Sequence, residues 1–161
     1  MCEHCGCRGV EPIAELMDEH FDLLDLSGTI RRALAAGDRC GAWQALAVLA
    51  GQLDEHVRRE EGGVFRALRD QGEFVEAVEE LEGEHLDFDE ALSELGLDDA
   101  DLEERVTALL DELSLHIDKE NLGIFPVAVV TLNATGWDTV TAAHARAHHH
   151  GHPHDHDHQH A

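Results

Sequence analysis

Histidine is the residue type in this chain whose number and placement point to chemistry. The 161 residues include 14 histidines, of which nine lie between positions 144 and 160 and one, His4, lies among cysteines. The remaining four are His20, His56, His85 and His116. An imidazole ring can bind a metal ion or transfer a proton near neutral pH, so these four positions are the first candidates for a functional site.

Carboxylates follow three of these histidines at a spacing of four residues; they are Glu60, Asp89 and Glu120. Side chains at positions i and i+4 share one face of a helix, so each carboxylate points the same way as its histidine. A single pair of this kind is common on solvated helix faces, but several pairs centred on apolar stripes predict a buried site. The predicted metal ligands are His20, His56, Glu60, His85, Asp89, His116 and Glu120.

The mixture of imidazole and carboxylate groups narrows the choice of cation. It suits iron, manganese or zinc, whereas copper(I) and structural zinc favour thiolates. A buried carboxylate without a partner is costly, so a cation is expected beside it. Three carboxylates and a bridging hydroxide would balance two divalent ions, and the ligands are too many for one tetrahedral zinc ion. We therefore expect a dinuclear centre bridged by Glu60 and Glu120; a metal-free helical core is the alternative.

The four histidines belong to an internal duplication. Residues 15–22 match residues 80–87, and residues 56–65 match residues 116–125. Each copy carries one histidine in its first segment and one in its second segment. The sequence therefore predicts two similar helical hairpins with one histidine on each helix.

Apolar residues recur three, four and seven positions from these histidines, which is typical of helix faces that pack into a core. Stop and cap residues occur at positions 37–38, 70–72 and 96–101. These links are short, so consecutive helices should be antiparallel. His56 lies 14 residues before position 70 and His85 lies 13 residues after position 72, which places both at a similar depth. The predicted fold is all-α, an antiparallel up-down-up-down four-helix bundle built from the two hairpins.

The order of these motifs resembles one known family. One histidine, His-x3-Glu, a further histidine helix, and His-x3-Glu followed by Phe125-Pro126 look like the hemerythrin family of bacterial type, the HHE cation-binding domain. The likeness covers residues 11–143 and includes Trp137-Asp138. It implies a four-helix bundle with a non-haem di-iron centre that binds dioxygen or, in bacterial members, other small oxidants and nitric oxide.

The resemblance also implies a role for each ligand. By position, His20 and His56 would serve one iron, His85 and His116 the other, and Glu60 and Glu120 would bridge them.

Two departures from the oxygen carriers of the family affect the expected chemistry. Asp89 stands where their third helix has a second histidine, and Asn121 stands where their fourth helix has an aspartate. With one histidine fewer, the second iron would have a harder and more anionic set of ligands, or it would keep an open coordination position. Either change disfavours reversible oxygen carriage. Glu61 is an alternative to Asp89 as a further ligand.

A ferritin-like site is the alternative di-iron architecture. It needs Glu-x-x-His on two helices, and only Glu82 and His85 have that spacing. The chain has no tyrosine, which also excludes a tyrosyl radical.

Gly63 and Gly123 occupy equivalent positions in the two copies, seven residues after a histidine. Glycine inside a helix costs about 1 kcal/mol relative to alanine. Two explanations are open: the glycines leave room beside the metals for a small ligand, or they permit close helix packing.

The two ends of the chain differ from the domain between them. Residues 1–10 are Cys-rich, and Cys2, Cys5 and Cys7 with His4 suit a soft metal or a thiol switch. Residues 144–161 are expected to form a disordered His-rich tail that binds auxiliary divalent metal, while 11–143 form the domain with a short C-terminal helical extension. Cys40 is expected to be a packed or idle thiol.

The composition excludes some classes of partner. Lys and Arg total 11 against 35 Asp and Glu, a net charge of −24, which disfavours nucleic acid and anionic membranes. The N-terminus does not read as a secretory leader, and the longest apolar run is too short to span a bilayer, so a cytoplasmic location is expected.

The function expected from the sequence is binding or sensing of a small oxidant, which would be dioxygen, nitric oxide or peroxide, at a di-iron centre. One alternative is an enzyme that removes peroxide or nitric oxide at the same centre. Another is a metal-handling protein that uses the His-rich tail and the Cys cluster.

Overall fold

A computed structural model describes residues 11–149 of the chain. The described residues are helical and contain no strand, which confirms the all-α class. The helices are α1 (Glu11–Ala35), α2 (Arg39–Gly62), α3 (Val64–Gln71), α4 (Val75–Ser93), α5 (Leu102–Lys119), α6 (Phe125–Thr131) and α7 (Ala134–His149), with a π-helical turn at Glu120–Ile124 between α5 and α6. None of these helices is both long and apolar enough to cross a membrane.

The helices end where glycine and aspartate residues permit a turn. Gly37 and Gly72 have φ values of 73° and 72°, in the left-handed region that favours glycine after a helix. Asp38 caps α2 by accepting a 2.9 Å hydrogen bond from the Gly41 amide, and Asp99 accepts a 2.8 Å bond from the Gly96 amide. The turns therefore fall at the positions expected from the sequence.

Two apolar clusters form the core, and the four histidines lie between them. Along α1, His20 stands between Leu16 of one cluster and Leu23 of the other. Along α2, His56 likewise follows Leu53 and precedes Phe65 of α3. Burial of these apolar side chains is the favourable term that offsets the burial of polar groups between them.

Both copies of the duplication have a helix irregularity directly after a buried glutamate. In the first copy, α2 ends at Gly62 and is capped by Gly63, whose amide donates to the Glu60 carbonyl at 3.2 Å. In the second copy, the helix widens into the π turn that begins at Glu120. Pro126 follows that turn at the start of α6. In a regular α-helix a proline ring clashes with the carbonyl four residues earlier, and a widened turn relieves that clash.

The structure explains Gly63 by packing. A Cβ at Gly63 would lie 2.7 Å from the Arg59 carbonyl oxygen and 3.4 Å from the Ala143 Cβ of α7. A Cβ at Gly123 would meet nothing within 4 Å, and this residue lines a surface groove with Phe74 and Lys119. Neither glycine therefore supports the hypothesis of room left beside the metals.

The last helix extends past the boundary expected for the tail. Helix α7 includes residues 144–149, because Val140, Ala143 and His144 are buried against the rest of the domain. The Nδ1 atom of His144 forms a 2.8 Å hydrogen bond with Glu15 of α1. The Cys-rich segment 1–10 and residues 150–161 lie outside the described residues, and Cys40 is an exposed free thiol.

The change Gly63→Ala is expected to lower the free energy of unfolding by about 1–3 kcal/mol, because the added Cβ would press on the Arg59 carbonyl. Gly51→Ala in α2 is the matched control, since its Cβ would meet nothing within 4 Å and alanine favours helix by up to about 1 kcal/mol. Urea unfolding of both variants measures the difference. Equal effects of the two changes would contradict the packing explanation.

Candidate metal centre

Each of four helices contributes one buried histidine to a single layer of the core. His20 lies on α1, His56 on α2, His85 on α4 and His116 on α5, and each is exposed by 5% or less. Each histidine occupies the apolar stripe of its helix, so its ring points toward the centre of the domain.

Two glutamates complete the layer and are wholly buried. Glu60 ends the regular part of α2, and Glu120 begins the π turn after α5. Each stands four residues after a histidine, so the helical repeat directs both side chains of a pair to the same point. A buried carboxylate is stable only if hydrogen bonds or a cation compensate its charge.

The candidate ligand atoms form two groups, within each of which all atoms lie within 4.8 Å of one another. One group contains His20, His56, Glu60 and Glu120, and the other contains His85, His116, Glu60 and Glu120. The two groups share both glutamates. This sharing matches the arrangement that the sequence resemblance implies, with two histidines on each side.

Inside the layer, the imidazole Nε2 atoms converge on the carboxylates. Glu120 Oε1 lies 3.1 Å from Nε2 of His20 and 3.1 Å from Nε2 of His116. The Nε2 atoms of His85 and His116 face each other at 3.0 Å. Two neighbouring nitrogens with lone pairs directed at one point are typical of ligands around a cation.

Two of these carboxylate oxygens have no hydrogen-bond partner among residues 11–149. They are Oε2 of Glu60 and Oε2 of Glu120, whereas Oε1 of Glu60 and Nε2 of His56 contact each other. Orphaned oxygens in a buried carboxylate are costly unless something else compensates them. A cation would compensate these oxygens, so the residues present fit a metal centre.

On the outer side of the layer, each imidazole Nδ1 has a polar neighbour. Nδ1 of His20 is 2.7 Å from Asn121 Oδ1, and Nδ1 of His85 is 3.0 Å from Glu61 Oε1. An Nδ1–H that donates outward fixes the ring and leaves Nε2 as the inward lone pair.

The remaining two histidines also have a carboxylate beside Nδ1. Nδ1 of His56 forms a 3.4 Å hydrogen bond with Glu19, whereas Nδ1 of His116 lies 3.5 Å from Glu84 without forming a hydrogen bond. Sequence reasoning did not assign these outer partners, although Glu19 and Glu84 each directly precede a histidine in the duplicated Glu-His motif. That repeated dipeptide is the signal that could have identified them.

The structure does not bring Asp89 into either group of candidate ligands. Asp89 is exposed, whereas Phe88 beside it is buried with its ring edge against His116, at 5.3 Å between ring centroids. Helix α4 faces the core through His85 and Phe88, so the next position points to a groove along α2. Glu61 lines the same groove and contacts the outer Nδ1 of His85, not the inner Nε2.

Two phenylalanine rings of one apolar cluster stack on histidines of the layer. Phe125 stacks on His20 at a centroid distance of 5.5 Å, and Phe65 stacks on His85 at 5.7 Å. Phe65 and Phe125 are equivalent residues of the two copies, and each covers a histidine of the other copy. Apolar rings at these places exclude water and strengthen every electrostatic interaction inside.

Two histidines in the layer hold protons strongly when no metal competes. Burial alone would lower the pKa of His20, but the carboxylates of Glu120 and Glu60 raise it to about 9. Burial likewise opposes the charge on His56, but the Glu60 carboxylate dominates and raises its pKa to about 10. Protons therefore compensate the buried carboxylates in place of a metal.

The two glutamates respond in opposite directions. Burial would raise the pKa of Glu60, but the charge on the adjacent His56 imidazole holds that pKa well below its usual value. Burial, together with the adjacent Glu60 charge, raises the pKa of Glu120. Two carboxylates this close disfavour each other's ionisation, and added positive charge removes the conflict.

Comparison with known proteins agrees with this site. The helical fold and the buried His/Glu groups define an all-α protein with a candidate metal centre. A family model described as the hemerythrin HHE cation binding domain matches residues 11–128, so the chain belongs to that family. No curated protein and no solved structure gives a significant match to the chain.

In protein stripped of metal by a chelator, the free energy of unfolding is expected to fall as pH rises from about 6.5 toward 9 and 10. The folded-state pKa values of His20 and His56 are raised to about 9 and about 10 from 6.5, so their stabilisation is complete below 6.5 and is lost through the folded values. Denaturant unfolding at several pH values measures the slope.

The control for this pH dependence is Glu60→Gln, which removes a carboxylate that holds both protons and should flatten the slope. A metal-free protein whose stability increases over the same pH range would contradict the proton assignment.

Proposed function

We propose that this protein is a non-haem di-iron protein that binds or senses a small oxidant, which is dioxygen, nitric oxide or peroxide. The observation that carries the proposal is the pair of buried glutamates shared by two histidine groups, each with one oxygen, Oε2, that has no hydrogen-bond partner among the described residues. Two imidazoles and carboxylate oxygens on each side form a donor set that suits iron and leaves positions open for an exogenous ligand.

The chain's own residues supply holding, orientation and exclusion of water. Four imidazole Nε2 atoms and two carboxylates would hold the cations, and the outer acceptors on Nδ1 keep the rings in place. Bound iron would supply the ligand-binding and electron-transfer chemistry. Phe65 and Phe125 keep the surroundings apolar, which favours small uncharged ligands over larger polar ones.

The proposal extends to the architecture and the location of the protein. We infer an antiparallel bundle of four helical segments, because short turns join the segments around one layer of histidines. The segments are α1, then α2 continued by α3, then α4, and finally α5 continued by α6. We also keep the cytoplasm as the proposed location, because the crowded thiols at positions 2–7 suit a reducing compartment better than a disulfide framework.

Iron-loaded full-length protein, reduced without oxygen, is expected to bind nitric oxide stoichiometrically and to change its optical spectrum. Glu120→Gln should weaken iron binding by more than about 100-fold, because it removes a shared ligand. Asp89→Asn is the matched control: Asp89 also lies four residues after a histidine but is exposed, so its loss should leave iron binding and the spectrum unchanged.

Two results would contradict the proposed centre. If iron-loaded protein binds none of the three oxidants, or if Asp89→Asn and Glu120→Gln have equal effects, the proposed centre is wrong. Continuous consumption of peroxide that is abolished by Glu60→Ala would replace binding or sensing with the enzyme alternative.

A further inference from the structure

The two copies of the duplication exchange their outer hydrogen bonds. Glu61 and Asn121 are equivalent positions, since each directly follows a shared glutamate. Each forms a hydrogen bond with the first histidine of the other copy: Glu61 with Nδ1 of His85, and Asn121 with Nδ1 of His20. The same exchange occurs for the stacked phenylalanines, so the two halves of the centre are related by approximate two-fold symmetry.

Two of the four outer contacts preserve this symmetry in charge as well as in position. Glu19 lies against His56 and is paired with Arg59 at 3.2 Å. In the other half, Glu84 lies 3.5 Å from the equivalent histidine and pairs with Lys119, the equivalent of Arg59, at 3.1 Å. Each half thus has one carboxylate and one cation at these places, at nearly equal distances, although only His56 makes a hydrogen bond there.

The symmetry is broken at positions 61 and 121. Nδ1 of His85 donates to a carboxylate at 3.0 Å, whereas Nδ1 of His20 donates to a neutral amide oxygen at 2.7 Å. Hydrogen bonds to an ionised acceptor are about twice as strong as neutral ones. A carboxylate on the outer nitrogen increases the electron density at the inner nitrogen and makes the imidazole a stronger metal ligand.

We propose that the Asn121 and Glu61 pair makes the two cation positions unequal, so that the His85 and His116 position binds more tightly than the His20 and His56 position. Asn121 and Glu61 are positioning residues that act through the histidines they contact. This inference rests on the proposed function, because it requires two cations in the layer. It assigns the weaker His20 and His56 position as the exchangeable one.

Titration of the metal-free full chain with cobalt(II), followed by its visible absorption, tests this assignment. A variant with Glu60→Ala and Glu120→Ala supplies the background from the histidine-rich tail. Asn121→Glu gives position 121 the residue of its equivalent, and is expected to tighten the weaker step by at least about 10-fold. Glu61→Asn is expected to weaken the tighter step by a similar factor.

Two controls separate these effects from added or removed charge. Asn133→Asp adds a negative charge but keeps an acceptor for the Gly136 amide that Asn133 caps. Glu112→Asn removes an exposed carboxylate on α5. Both controls should leave the two binding steps unchanged, and thermal unfolding of the metal-free variants should show that each one folds.

Each outcome of the titration bears on one claim. If Asn121→Glu and Glu61→Asn leave both steps where they are in the original chain, or change only the thermal midpoint, the inference is overturned. If the original chain takes up two cations with equal affinity, this inference fails while the dinuclear centre stands. If uptake does not exceed the tail background, the proposed function fails instead.

Discussion

The burial of two adjacent carboxylates is the constraint on which the rest of this structure depends. Glu60 and Glu120 are wholly buried at the centre of the domain, where each would repel the other when ionised. Such a pair is stable only with positive charge beside it, whether the charge comes from protonated histidines or from metal ions. The four histidine helices and the apolar clusters on either side hold that compensating charge in place.

The duplication explains why the two halves of the domain supply equivalent residues to the candidate metal centre. Each hairpin supplies one shared glutamate, and directly after it the helix is interrupted, by Gly63 in the first copy and by the π turn in the second. The interruption carries Phe65 and Phe125 onto histidines of the opposite hairpin. Neither hairpin can complete the centre alone, so formation of the site is tied to association of the two halves.

The inner layer could be predicted from sequence because it follows local periodicity. Each of the four histidines sits on an apolar stripe, and Glu60 and Glu120 follow at one helical turn. The same spacing failed to indicate the orientation of Asp89, because rotation of α4 about its axis is set by the packing of Phe88 on His116. Only the assembled helices show that Asp89 is exposed and that the partner of His85 is Glu61.

The C-terminal limit of the domain could not be predicted from the sequence for a related reason. His144 begins a stretch so rich in histidine that composition indicates a tail. The packing of Val140 and Ala143 nevertheless extends α7, and His144 bonds to Glu15, more than a hundred residues earlier in the chain. Contacts this distant in sequence leave no local pattern to read.

X-ray absorption at the iron edge of the iron-loaded full chain tests the central claim most directly, because it detects one iron as a neighbour of another. We expect an iron–iron distance of about 3.5–4 Å that disappears when both shared glutamates are replaced by alanine. Iron that shows only light-atom neighbours, in a sample that loses its metal on those replacements, would mean a single ion and would contradict the dinuclear centre.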